Sequence, residues 1–162
     1  EDIVVQESRE VAPDFHPRRC SSRKTYEYRI LNREFPLPSM RRDSYFYHRR
    51  LDAAAMAQAA GFLVGTHDFA SFCAVHTQAL TTVRTIYACE VEKTGDLIVL
   101  RVTGAGFLYN MVRIIAGTLI EVGAGMRAPG EMQGILAARE RSAAGPTAPA
   151  HGLTMMGITF EA

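Results

Sequence analysis

Between Lys24 and Ile30 the chain alternates, with Lys24, Tyr26, Tyr28 and Ile30 on one side and Thr25, Glu27 and Arg29 on the other. Successive side chains of a strand point to opposite faces, so this pattern predicts a strand with both tyrosines on one face. Val83–Lys93 and Leu97–Thr103 flank Thr94-Gly95-Asp96 and predict an antiparallel hairpin. Tyr87, Cys89 and Val91 of its first arm are expected on the core face, as are Ile98, Leu100 and Val102 of its second. Leu153–Phe160 reads as a last strand. Ile3–Val11 reads as a first one, followed by a loop punctuated by Pro13 and Pro17.

The helical signals are of a different period. Asp52 is a good N-cap, and Leu51 and Met56 stand at the spacing of a hydrophobic staple, so a helix is predicted from there to about Val64, stopping at Gly65. His67–Phe72 is expected to form a short helical turn that buries Phe69 and Phe72. Phe107–Val122 is almost wholly apolar and predicts a buried helix. Pro129–Glu140 predicts another, with Pro129 near its first turn. Asn32–Arg50, which carries Pro36 and Pro38, and Ala143–His151 read as connections. Strands paired antiparallel and interspersed with helices predict an α+β fold, mostly antiparallel, with the helices on one face of the sheet.

Composition changes this picture little. The 162 residues suit one domain and can bury a core; 48% are hydrophobic and 22% charged, which argues against disorder. Cys20, Cys73 and Cys89 are odd in number and lack CxxC spacing, which predicts reduced thiols. The histidines are scattered and no metal motif occurs. Gly104–Ile120 is too short and too interrupted by Arg113 to span a bilayer, and no signal peptide is visible, so a cytoplasmic protein is expected. The chain starts without Met and almost at once runs into Ile3-Val4-Val5. From this an upstream part is expected to exist.

Charge is more informative by position than in total. The formal net charge is +1, yet residues 16–50 carry ten basic residues against three acidic ones. Nine of the ten are arginines, which fork onto phosphates and stack on bases, and Tyr26, Tyr28, Tyr45, Phe46 and Tyr47 are interleaved with them. Basic groups with aromatics suit single-stranded or loop RNA. A solvated basic face with its aromatics in the core fits the same pattern.

Arg113 is the only charged residue between Thr103 and Glu121. A buried guanidinium needs a counter-charge, and its helical neighbours Tyr109, Asn110, Ala116 and Gly117 supply none. Either a core acid of this chain, such as Glu90 or Glu121, pairs with it, or it holds an active-site carboxylate in its ionised form.

Four blocks then form a recognisable set. Phe15-His16-Pro17-Arg18 with Ser22-Arg23-Lys24-Thr25-Tyr26-Glu27-Tyr28-Arg29-Ile30 is the first. Gly65-Thr66-His67-Asp68-Phe69-Ala70-Ser71-Phe72 with Thr82-Val83-Arg84-Thr85-Ile86 is the second. Phe107-Leu108-Tyr109-Asn110-Met111-Val112-Arg113-Ile114-Ile115-Ala116-Gly117 is the third, and Ala150-His151-Gly152-Leu153 the fourth. In this order they resemble the tRNA pseudouridine synthase A (TruA) family, over roughly the C-terminal three-fifths of a member.

The resemblance implies an isomerase that converts uridine to pseudouridine in the anticodon arm of tRNA. It implies neither metal nor organic cofactor, a flipped target base, and an Asp that adds covalently to the nucleotide. It further implies a homodimer, with no membrane partner. Position by position, Tyr26 corresponds to the tyrosine that stacks on the target base and Leu153 to an apolar pocket residue. Arg113 corresponds to the basic partner of the catalytic Asp, and Arg18, Arg23 and Lys24 to RNA-phosphate contacts. Asp68 reads as a structural cap. The family nucleophile lies in a motif like G-R-T-D-A-G-V-H, which is absent from these residues. Residues 1–162 are therefore expected to be a single C-terminal domain, inactive alone, whose catalytic Asp lies upstream. The alternative is a natural non-catalytic RNA-binding or dimerisation module.

Overall fold

The computed structural model describes residues 2–17, 20–75 and 79–160. Six strands form one sheet: β1 (Ser22–Asn32), β2 (Tyr45–Tyr47), β3 (Gly65–Asp68), β4 (Val83–Thr94), β5 (Leu97–Gly104) and β6 (Leu153–Phe160). The order is β2-β1-β5-β4-β3, and β6 pairs with β1 as well. β1 carries β5 along one edge. Its other edge is shared, with β6 opposite Ser22–Tyr28 and β2 opposite Ile30–Asn32. All pairings are antiparallel except that of β2 with β1. Helices α1 (Ala53–Gly61), α2 (Met111–Gly123) and α3 (Glu131–Ala138) complete the expected α+β fold.

The core lies where the alternation puts it. Tyr28, Ile30, Ile98, Leu100 and Val102 of the sheet are fully buried, together with Met56, Leu63, Ile114, Ile115 and Leu119 of the helical layer. Asp52 caps α1 by accepting from the Ala55 amide at 3.0 Å, and its own amide donates to Gly123 O, tying the start of α1 to the end of α2. Close approach makes the glycines of α2 necessary. A Cβ on Gly123 would lie 2.7 Å from Met56 Sδ, and one on Gly117 would overlap the Pro146 carbonyl.

Several boundaries differ from the sequence pattern. Residues 2–11 form no strand, and Ile3, Val4 and Val5 are exposed. Propensity alone does not make a strand: it needs a ladder partner, and both edges of β1 are already paired. The connection 32–50 contains β2. α1 ends at Gly61, followed by tight bonds from Phe62, Leu63 and Val64 to Ala59, Ala60 and Gly61. Gly65 (φ +114) opens β3 where a helical turn was expected, and only Ala70–Phe72 is helical, in 3-10 form. Phe69 and Phe72 are nonetheless fully buried.

Tyr87 does not face the core. A bulge between Ile86 and Ala88 shifts the phase, so that Ile86 and Cys89 point inward and Tyr87 points out, 39% exposed. α3 ends at Ala138 because Arg139 adopts a left-handed conformation (φ 52). α2 starts at Met111, four residues later than the apolar run suggests, and the residues it omits form one wall of the site.

Candidate active site

Tyr26, Phe107, Tyr109, Asn110, Arg113 and Leu153 line a cleft of about 790 Å³. Three of these residues, Tyr26, Arg113 and Leu153, lie 40 to 127 positions apart in the chain and were singled out from the sequence. β1 supplies Tyr26, α2 supplies Arg113 from its first turn, and β6 starts with Leu153.

Each is positioned by a local device. Phe107 meets the Tyr26 ring edge to face, with centroids 5.2 Å apart and planes at 89°. Burial raises the Tyr26 hydroxyl above its ordinary pKa of 10.0, so it is a neutral phenol at physiological pH. Beneath it, Tyr28 donates its hydroxyl to Pro149 O at 2.7 Å, and burial, then the nearby Tyr45, push its pKa up while Arg113 lowers it. A Cβ on Gly152 would lie 2.8 Å from the Tyr28 ring. The glycine before Leu153 therefore lets the chain pass over that ring and enter β6 at the cleft.

Arg113 is held by neutral groups. Nε donates to Ala148 O at 2.7 Å and Nη1 to Asn110 Oδ1 at 3.0 Å, while Ala148 N donates back to Arg113 O at 3.0 Å. Asn110 reaches it because its backbone is left-handed (φ 61), a conformation Asn tolerates better than most residues. The in-chain ion pair considered above does not form. Glu121 is paired with Arg127 at 2.6 Å, and Glu90 lies exposed on a strand two away from the cleft. Among the described residues no carboxylate lies within salt-bridge distance of Arg113. Its Nη2 group has no acceptor among the described residues and reaches solvent.

Of the expected RNA-contact residues, Lys24 lies on the Tyr26 face of β1, half-buried, whereas Arg23 lies on the opposite face. The Arg23 guanidinium sits 4.3 Å over the Tyr87 ring. Arg18 lies outside the described residues. Asp68 is a structural cap, accepting from Ala70 N at 3.1 Å and Thr82 Oγ1 at 2.6 Å. Phe107 and Asn110 were not singled out from the sequence, because the apolar run hides the break at Asn110. Among the described residues no group of three or more His, Cys, Asp or Glu is placed to hold a metal ion. None of the described helices is long and apolar enough to cross a membrane.

An aromatic platform, an apolar neighbour and a guanidinium with open donors define a site for a flat ring that meets a negative charge. The sequence profile of the family described as tRNA pseudouridine synthase matches residues 59–161, and the chain belongs to that family. It is 46% identical over 161 residues to the tRNA pseudouridine synthase A of Bacillus pumilus, which covers 99% of this chain and 65% of that protein. It is 49% identical over 162 residues to that of Brevibacillus brevis (99% and 66%), and 44% identical over 162 residues to that of Bacillus subtilis strain 168 (99% and 65%). The chain thus spans just under two thirds of the length of these relatives.

Proposed function

We propose that the chain is the base-binding part of a tRNA pseudouridine synthase that isomerises uridine in the anticodon stem-loop. The observation that carries this reading is the convergence of Tyr26, Leu153 and Arg113 in one cleft, with Arg113 left without a carboxylate among the described residues. A flipped uracil lies against the Tyr26 ring, bounded by Leu153 and Phe107. The nucleophilic Asp comes from the part of the longer relatives that this chain does not span, and Arg113 holds it ionised.

The net reaction is an isomerisation. The N1–C1′ bond breaks, C5 bonds to C1′, the proton on C5 leaves, and N1 gains one. No oxidant or reductant is consumed, and neither metal nor organic cofactor is required. Lys24, Arg18 and Arg23 contribute phosphate contacts along the basic segment 16–50. By family resemblance the working enzyme is a cytoplasmic homodimer.

The test is pseudouridine formation in an unmodified tRNA transcript. The full-length protein is expected to convert it, and residues 1–162 alone are expected not to. Turnover by residues 1–162 alone would sink the assignment of the nucleophile. Absence of turnover by the full-length protein would sink the activity.

A further inference from the structure

Arg84 belongs to the Thr82–Ile86 block, and nothing above uses it. It stands on β4 two residues before Ile86. Ile86 is buried on the helix-covered face and pairs with Gly104, which pairs in turn with Lys24. Arg84 and Lys24 therefore share a sheet face and lie on either side of Gly104. That glycine has a reason to be there: a Cβ would meet Thr85 O at 2.8 Å and the Phe107 ring at 3.2 Å. The Phe107 ring thus lies over Gly104, between the two cations, with its other contact on Tyr26.

Arg84 is fixed but not neutralised. Its Nη1 donates to Thr81 O at 2.9 Å and to Val83 O at 2.6 Å, and among the described residues no carboxylate pairs with it. Its Nε and Nη2 remain for an outside acceptor. They lie beside the loop that leads into Phe107, since a Cβ on Gly106 would be 4.0 Å from Arg84 Cδ and Nε. In that loop the Ala105 amide is spent on Thr85 O at 3.0 Å. The Gly106 and Phe107 amides have no acceptor among the described residues, and both residues are partly exposed. A guanidinium edge next to two open amides is a donor set for a tetrahedral oxyanion.

We propose that Arg84, with the amides of Gly106 and Phe107, binds an RNA phosphate next to the nucleotide held at Tyr26. This rests on the reading of the cleft as the site of an RNA base. The ligand is the backbone phosphodiester of that strand, and Phe107 couples the two subsites, touching the base platform with its ring and the phosphate with its amide. Arg84 acts on positioning and takes no part in bond breaking.

The experiment uses the full-length protein and anticodon stem-loop RNAs in which one phosphate, 5′ or 3′ of the target uridine, is a neutral methylphosphonate. Dissociation constants are measured for the wild type and for Arg84→Gln. Charge-assisted hydrogen bonds of this kind change affinity by about tenfold, so removing either the arginine or the right phosphate charge weakens binding by about that factor. If the two meet, removing both at one of the linkages costs no more than removing one. Independent losses at both linkages, multiplying to about a hundredfold, overturn the proposal. Arg84→Lys, which keeps the charge, recovers part of the loss if the contact is to phosphate and none if Arg84 only braces β4. Pseudouridine formation is followed on the same RNAs. Turnover without coupling removes this site and leaves the activity, whereas coupling without turnover removes the activity and leaves the site.

Discussion

Glu27 and Arg113 are two withdrawn charges with opposite histories. Glu27, 5% exposed, is closed within the chain: Arg101 reaches one of its oxygens from Nε at 3.1 Å and Nη2 at 2.7 Å, and Arg29 reaches the other at 3.4 Å. The bond to Glu27 raises the pKa of Arg101 in return. Arg113 has a carbonyl and an amide oxygen, both neutral, and no acid among the described residues. A satisfied ion pair of this kind holds a sheet face in register. A guanidinium anchored by neutral oxygens is oriented yet still able to attract an anion, at the head of a cleft with an aromatic wall. On the function proposed above, the difference between them separates a structural charge from a functional one without reference to sequence position.

The sharpest way to break the comparison is to replace each charge. Arg113→Gln in the full-length protein is expected to lower pseudouridine formation by about a hundredfold or more, the scale of removing one preorganised partner of a reacting group. In residues 1–162 alone its melting temperature should change little, because there only contacts to neutral oxygens are lost. Glu27→Gln should do the reverse, leaving the rate per folded molecule unchanged. A rate loss for Glu27→Gln equal to that of Arg113→Gln would erase the distinction.

Gly117→Ala sharpens it from the packing side. Its Cβ would overlap the Pro146 carbonyl, so the 146–148 segment must shift, and with it the Ala148 oxygen that aims Arg113. Overpacking of this kind costs about 1–3 kcal/mol of stability, read by denaturant titration, with a loss of activity beyond the unfolded fraction. For Glu27→Gln itself the stability cost is smaller, about 1 kcal/mol, since Arg101 is partly in solvent and screened.

How much of this could be read from the chain depended on distance. The alternation of β1, the hairpin of β4 and β5, the start of β6 and the Asp52 cap are local signals, and the residues state them directly. β3 escaped because Gly65–Asp68 is too short to show a period, and β2 because Tyr45–Tyr47 sits among prolines and charges. The bulge that turns Tyr87 outward leaves no mark on the pattern of the strand. In the site, Tyr26, Arg113 and Leu153 were legible through motif blocks. Their anchors were not: Ala148 O and Pro149 O are backbone atoms of a loop 35 and 121 residues away from the side chains they hold. Asn110 was concealed because an apolar run reads as helix on both sides of a left-handed residue.

The smallest expected effect concerns a group away from the cleft. Burial, reinforced by Glu90, pushes the Cys89 thiol up to about 12 from its ordinary 9.0. The folded state thus keeps a proton that the unfolded state loses above pH 9. The contribution is intact below that pH and fades as pH rises from about 9 to 12. Cys89→Ala should flatten the alkaline fall of stability in pH-dependent denaturation. An equally steep fall in the variant would assign the slope to other groups, Tyr28 first among them.

On the function proposed above, Arg113 is one half of an ion pair whose other half lies beyond residues 1–162. A crystal structure of the full-length protein measures it directly, as the distance from the Arg113 guanidinium to the nearest carboxylate. An Asp oxygen from outside these residues is expected within about 4 Å, in the same cleft as Tyr26 and Leu153. An Arg113 that keeps only Ala148 and Asn110 as partners, with that cleft filled by apolar side chains, would contradict it.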